Sequence, residues 1–282
     1  MGGMKVRQFA ERIVGRWRLI LPLLGLLLLP FIILRQGSGR AAGTADSVSG
    51  PKIIVLNYHK VDNVNSSLSV PPSEFERQMA FLAQNGYHTI TPHELYMAFT
   101  DNGPLPNNPV LITFDDGYDD NYTNAFPILK KYGLQATIFV ITSLMDQNYP
   151  GYLTWGHAAE MEASGIVTIE SHTVSHGSLT DLTDEQIRHE LTDAKHEIEQ
   201  RLGKEVEFLA YPTGAYNLHI ASLVKEAGYK GAFTVRNGNM DSATNLYAIE
   251  RVPIFQTSDT FASFLERLKF LPLFERIGWK KN

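Results

Sequence analysis

Three short stretches hold the residue types that hydrolytic or metal chemistry needs: Thr113-Phe114-Asp115-Asp116-Gly117-Tyr118, His172-Thr173-Val174-Ser175-His176 and Ala210-Tyr211-Pro212-Thr213-Gly214. Adjacent residues at a strand end point to opposite sides, so one aspartate can ligate a cation while its neighbour faces a bound water. Gly117 permits a turn that a residue with a Cβ would resist. Two imidazoles four apart share one face of a helical turn, which suits a common metal. Pro212 and Gly214 fix a tight turn that aims the Thr213 backbone N–H into a site. Each stretch alone also fits an acidic surface turn, a chance histidine pair or an ordinary turn. His189 and His196 lie on a solvated helix face and are given no role.

These residues need elements to position them. From Lys52 onward, β-branched runs alternate with amphipathic segments, giving strands at Ile53–Asn57, Thr89–Ile90, Val110–Phe114, Ala136–Ile141, Ile166–Glu170, Val206–Tyr211, Gly231–Val235 and Ala248–Val252. Ser73 with Glu76 reads as a capping box for a helix closed by Gly86, and Thr183 with Gln186 opens a longer one closed by Gly203. Gly133, Gly165 and Gly228 mark three further helix ends. Apolar runs without alternation fit strands covered on both faces. The pattern predicts an α/β fold, a distorted (β/α) barrel with seven to eight parallel strands that works at their C-terminal ends.

Composition narrows the function. The 282 residues carry a charge of −5 with 44% hydrophobic content and no cysteine, which excludes disorder, thiolate metal sites, disulfides and cysteine nucleophiles. Residues 1–40 hold a net +6 and the remainder −11, and so acidic a body argues against nucleic-acid binding. Leu19–Leu34 is an unbroken apolar run of sixteen residues, denser in basic residues before it than after it. It reads as one N-terminal transmembrane helix in the lipid bilayer, N-terminus inside and body outside, with secretion as the outcome if the segment is a cleaved signal. The expected division is residues 1–35 as basic stub and anchor, 36–50 as flexible linker, 51–257 as catalytic domain and 258–282 as C-terminal helix and tail.

Together, in this order at three strand ends, the motifs resemble the polysaccharide deacetylase family (the NodB homology domain, carbohydrate esterase family four), over about residues 51–257. Tyr58-His59-Lys60-Val61, Asn121-Tyr122, Ala136-Thr137-Ile138-Phe139-Val140 and Glu170-Ser171-His172 are similar to the family as well. They look closest to extracellular poly-N-acetylglucosamine deacetylases. The resemblance implies a divalent metal, zinc first with iron, cobalt or nickel also fitting, held by Asp116, His172 and His176. It implies Asp115 as general base, the Thr213 N–H as oxyanion donor, and Tyr211 and Pro212 as groove wall. The implied substrate is an N-acetylated polysaccharide: peptidoglycan, an exopolysaccharide or a chitin-like polymer.

The chain departs from the family pattern at several points. Ala210 stands where the family places an arginine that pairs with the catalytic aspartate, and Thr213 where it places a tyrosine. The acidic and tryptophan residues of a fourth motif are missing from Phe233–Asp241, and no histidine follows His219. Arg251, at the end of the eighth strand, is expected to orient Asp115 from across the barrel. His59, at the end of the first, is a candidate proton carrier or a packed neighbour of the site. Trp155 either stacks on a sugar or packs over a helix start. The tail Phe261–Trp279 is expected as an amphipathic helix covering the barrel bottom. Alternatives are a catalytically impaired glycan-binding domain, an O-acetyl (xylan-type) esterase, and an iron oxygenase, the last at odds with strand–helix alternation.

Overall fold

Among the described residues eight strands form, joined mostly by helices; six overlap the predicted runs closely, while the second and the eighth meet theirs, Thr89–Ile90 and Ala248–Val252, only at Thr89 and Val252. The computed structural model describes residues 53–236, 238, 245–257 and 260–276. The strands are β1 (Ile54–Tyr58), β2 (His88–Thr89), β3 (Pro109–Phe114), β4 (Ala136–Val140), β5 (Val167–Ser171), β6 (Phe208–Ala210), β7 (Gly231–Phe233) and β8 (Val252–Pro253). The helices are α1 (Pro72–Gln84), α2 (Pro92–Thr100), α3 (Phe126–Tyr132), α4 (Thr142–Asp146), α5 (Trp155–Ala163), α6 (Asp184–Leu202), α7 (Leu218–Glu226) and α8 (Thr260–Arg276).

The strands pair in the order β7-β6-β5-β4-β3-β1-β8, all parallel. Short β2 pairs with Pro109 and Val110 of β3, on the edge that β4 takes over at Thr113 and Phe114. The sheet curls into a half-barrel, and one segment reaches both of its edges. Ile249 bridges Phe233 of β7, while Val252 pairs with Leu56 of β1.

Period-two alternation sorts the side chains into two cores. Ile53 just before β1, Val55 on β1, Leu111 on β3, Phe139 on β4, Phe208 and Ala210 on β6 and Phe233 on β7 fill the concave interior. Leu56, Tyr58, Ile112, Phe114, Ile138, Val140 and Ile169 face the helices instead. Continuing the interior column upward along β1 and β3 gives Asn57, His59, Thr113 and Asp115. The polar site is the upper layer of the inner core.

Helix ends follow the sequence in part. Thr183 and Gln186 form the expected capping box at α6, and Gly203 ends that helix in a left-handed conformation. The expected Ser73–Glu76 box does not form. Pro71 is the N-cap and Pro72 the first helical residue, so the proline pair starts α1 ahead of Ser73. Helix α8 lies against α1, where Phe81 meets Phe261 and Phe264 at 6.0 and 6.2 Å, and Arg267 donates to the Pro253 carbonyl. It packs on the helical layer through these contacts. The expected membrane span Leu19–Leu34 lies outside the described residues. Among those described, no helix is long and apolar enough to cross a membrane.

Candidate active site

The two aspartates sit just past β3, and the backbone sends them apart. The Asp115 N–H still donates to Tyr58 O at 3.0 Å, continuing the ladder. Asp116 then takes φ +72° and Gly117 φ +72°, so a left-handed turn, more than strand alternation, separates the carboxylates. A left-handed non-glycine is costly and persists where the surroundings enforce it.

His172 and His176 do not share a helical turn as their spacing suggests. They sit in an irregular loop after β5 in which Thr173 (φ +69°) and His176 (φ +63°) are left-handed. The next helix holds that loop in shape. Glu190 of α6 accepts the Val174 and Ser175 N–H groups on Oε2, both at 2.9 Å, and the Ser175 hydroxyl on Oε1 at 2.6 Å. The sequence pattern carried no sign of this anchor.

Asp116, His172 and His176 meet with one ligand atom from each, all within 4.8 Å of one another. Asp116 Oδ1 stands 3.4 Å from each histidine Nε2. His172 Nδ1 lies 2.8 Å from the Ala210 carbonyl, which can only accept. The proton of a neutral imidazole is therefore on Nδ1, and the Nε2 lone pair faces Asp116. Burial, followed by the nearby His172, lowers the His176 pKa and favours its neutral form, whereas at His172 burial is outweighed by Asp116 and then Asp115, which raise its pKa and favour a proton, or an equivalent cation, at Nε2. Two lone pairs converging on a carboxylate repel unless a cation or proton lies between them, so this donor set fits a divalent metal.

Asp115 is occupied differently. Arg251 grips it in a two-bond fork, Nη1 to Oδ1 and Nη2 to Oδ2, both 2.7 Å. Asn57 Nδ2 adds a 3.2 Å bond to Oδ2. The guanidinium is fully buried, donates from Nε to Thr234 O at 2.8 Å, and lies over the Phe139 and Phe233 rings. Burial alone would raise the Asp115 carboxyl. The charge of Arg251, then that of His172, outweighs it and holds the group well below the usual carboxylate range. His59 Nε2 is 4.0 Å from Asp115 Oδ2, and its Nδ1 is buried without a hydrogen-bond partner.

Thr213 is exposed with φ +58°. The turn bonds come from Gly214 N–H to Tyr211 O and Ala215 N–H to Pro212 O, so the Thr213 N–H takes no part in them. A Cβ on Gly214 would sit 2.7 Å from Val235 N, so glycine is required there. Tyr211 and Pro212 are buried, which corrects their expected place on a groove wall. Tyr211 stacks on Tyr216 at 5.1 Å and donates its hydroxyl to Tyr247 O. Trp155 packs over the start of α5, its Nε1 bonded to Asp146 and its ring beneath Arg201. Of the two expectations for Trp155, these contacts describe the packing one. Buried Glu170, pushed up to about 7 by burial, ties β5 to the start of β6 through the Glu207 and Phe208 N–H groups.

Curled parallel strands with a carboxylate–histidine cluster at their ends have known counterparts. The polysaccharide deacetylase profile matches residues 102–232. A Bacillus subtilis (strain 168) protein named for that family, YxkH, is 37% identical over 220 residues, 77% of each chain. The poly-beta-1,6-N-acetyl-D-glucosamine N-deacetylase of Staphylococcus aureus is 27% identical over 94% of this chain and 97% of its own. The Streptococcus pyogenes deacetylase PplD, solved with acetate, superposes with a TM-score of 0.73 at 29% identity, covering 78% of this chain and 99% of that one. The chain belongs to the polysaccharide deacetylase family. It is an enzyme of that class, a polysaccharide deacetylase.

Proposed function

We propose that this protein removes acetyl groups from N-acetylglucosamine units of an extracytoplasmic polysaccharide, with a divalent metal held by Asp116, His172 and His176. The observation that carries this reading is the convergence of those three ligand atoms within 4.8 Å, beside a separately held Asp115. The Staphylococcus aureus relative, an N-deacetylase, supports amide over ester hydrolysis. The apolar run Leu19–Leu34 and the basic stub before it support an anchored enzyme with its body, residues 51–257, outside the cytoplasm.

A divalent metal bound there supplies a Lewis acid and lowers the pKa of a coordinated water to ~7. Two imidazoles and one carboxylate suit zinc, and iron, cobalt or nickel fit the same donors. Asp115 is ionised throughout the physiological range and accepts a proton as general base. Arg251 and Asn57 fix the direction of its oxygens. The Thr213 N–H donates to the oxyanion that develops on the acetyl carbonyl, a contribution of roughly 3 kcal/mol. His59, 4.0 Å from Asp115 Oδ2, is the candidate proton carrier to the leaving amine, or else a partner that positions Asp115.

The test is acetate release by the purified full chain from peptidoglycan, poly-N-acetylglucosamine and acetylxylan, before and after chelation, with Asp115→Asn as control. We expect chelator-reversible release from an N-acetylated polymer and a loss of about 10²–10⁴-fold in the variant. Release from acetylxylan alone would replace this reading with the O-esterase. Glycan retention without any release would replace it with the impaired binder.

A further inference from the structure

A second feature begins at the metal-ligating turn and leads away from it. Tyr118 follows Asp116 by two residues, and its hydroxyl lies beside the Asp116 carboxylate. Its ring stacks on Tyr152 at 5.0 Å and 29°. Tyr152 in turn meets the edge of Tyr149 at 5.9 Å and 66°. Three aromatic rings thus run in file from the metal ligands outward.

The backbone fixes this row. Tyr118 and Tyr152 form an antiparallel bridge, flanked by Asp119 N–H to Gly151 O at 3.0 Å and Leu153 N–H to Gly117 O at 2.9 Å. Tyr149-Pro150-Gly151-Tyr152 is a β-turn closed by the Tyr152 N–H on Tyr149 O. Proline at its second position and glycine at φ +88° at its third are what a type II turn requires. The turn presents its two end tyrosines together. Lys60 covers a face of Tyr118 at 5.1 Å, while the row grows more open outward, Tyr118 and Tyr152 half-buried and Tyr149 52% exposed. Among the described residues, Tyr149 is the one aromatic in the set of large apolar side chains left exposed.

A polymer substrate extends beyond its reacting unit, and the flanking sugars need a surface. Pyranose rings present apolar C–H faces ringed by hydroxyls, and tyrosine pairs an apolar body with a wet hydroxyl. We propose that Tyr149 and Tyr152 form a platform on which the sugar units next to the acetyl-bearing unit stack, so that the enzyme selects polymers over single sugars. This rests on the N-deacetylase reading, and the row's continuity with Asp116 fixes its place relative to the chemistry. Tyr149 and Tyr152 are positioning residues, since neither meets the reacting atoms.

The test uses pentamers of β-1,6-linked and of β-1,4-linked N-acetylglucosamine, with N-acetylglucosamine as the single-sugar probe. Calorimetry measures their binding to the full chain carrying Asp115→Asn, with and without Tyr149→Ala. Steady-state kinetics on the otherwise unaltered enzyme gives a parallel readout that does not depend on that background. We expect Tyr149→Ala to weaken pentamer binding and raise KM about tenfold, far more than for the single sugar, with kcat changed little and Tyr149→Phe restoring most of the loss. Unchanged pentamer binding, an equal loss on the single sugar, or no pentamer binding in either background overturns the platform. Tyr149-dependent binding without acetate release from any glycan would leave the platform standing and remove the deacetylase reading.

Discussion

Arg251 and Asp115, 136 residues apart in the chain, form a two-bond fork with both distances at 2.7 Å and both side chains almost wholly buried. The family places the aspartate's arginine elsewhere, and here Ala210 occupies that position. The guanidinium arrives instead from the segment that leads into β8. A buried pair of this kind contributes little over an apolar replacement, but removing one partner strands the other charge.

That asymmetry is measurable. Arg251→Met should cost about 3–5 kcal/mol in denaturant unfolding because Asp115 is left buried and unpaired. Arg251→Met combined with Asp115→Asn should recover much of that loss while remaining inactive. A double variant no more stable than the single one would show that the pair does not set the cost.

Glu190 is expected to matter for metal retention without touching the metal. Glu190→Ala leaves the Val174 and Ser175 N–H groups without their acceptor and frees a loop with two left-handed residues. We expect zinc affinity to fall about 10–100-fold, measured by competition with a chromogenic chelator. Glu190→Gln, which keeps one acceptor oxygen, should lose less.

Loading the metal should stabilise the fold. At 1,000 times its dissociation constant, zinc should add about 4 kcal/mol, read as an upward shift in Tm that chelator reverses. His176→Ala should abolish most of the shift while leaving the metal-free Tm near that of the parent, since this imidazole is one-third exposed.

Asp120 sets a pH dependence of its own. Burial, partly offset by the Val61 N–H and Lys60, pushes its carboxyl up to about 6. The unfolded chain titrates this group near pH 4, so between those values the native state binds the extra proton. Stability is therefore highest below the window and falls as pH rises through it, by on the order of 2 kcal/mol. Asp120→Asn should flatten that fall, which denaturation midpoints at pH 4.5, 5.5 and 7 would reveal as a gap from the parent that widens with pH.

Strands were legible because β-branched runs such as Pro109–Phe114 and Ala136–Val140 have little alternative once both faces are covered. The grouping of Asp116, His172 and His176 was legible by type and family pattern, but their local conformation was not. Four-residue spacing implies a helical turn only if the backbone is helical, and Thr173 and His176 are not. The helper that shapes their loop, Glu190, lies on the following helix, and a contact at that distance leaves no periodic trace. Tyr211 misled for a related reason. A tyrosine before Pro-Thr-Gly reads as a loop residue facing a groove, yet Tyr216 and the Tyr247 carbonyl draw it inward. At α1, local chemistry misled, since two prolines outrank a serine as a helix start.

The stretch Ile249–Ile254 bonds to β7 on one side and to β1 on the other, and Arg251 is carried within it. Structural closure and catalytic readiness are thereby the same event. A nascent chain still lacking this stretch has its three candidate metal ligands in hand but no counter-charge for Asp115 and an open seam between its outermost strands. On the proposed mechanism, a chain that stops before residue 249 lacks both this seam and the Arg251 counter-charge, and is expected to release no acetate.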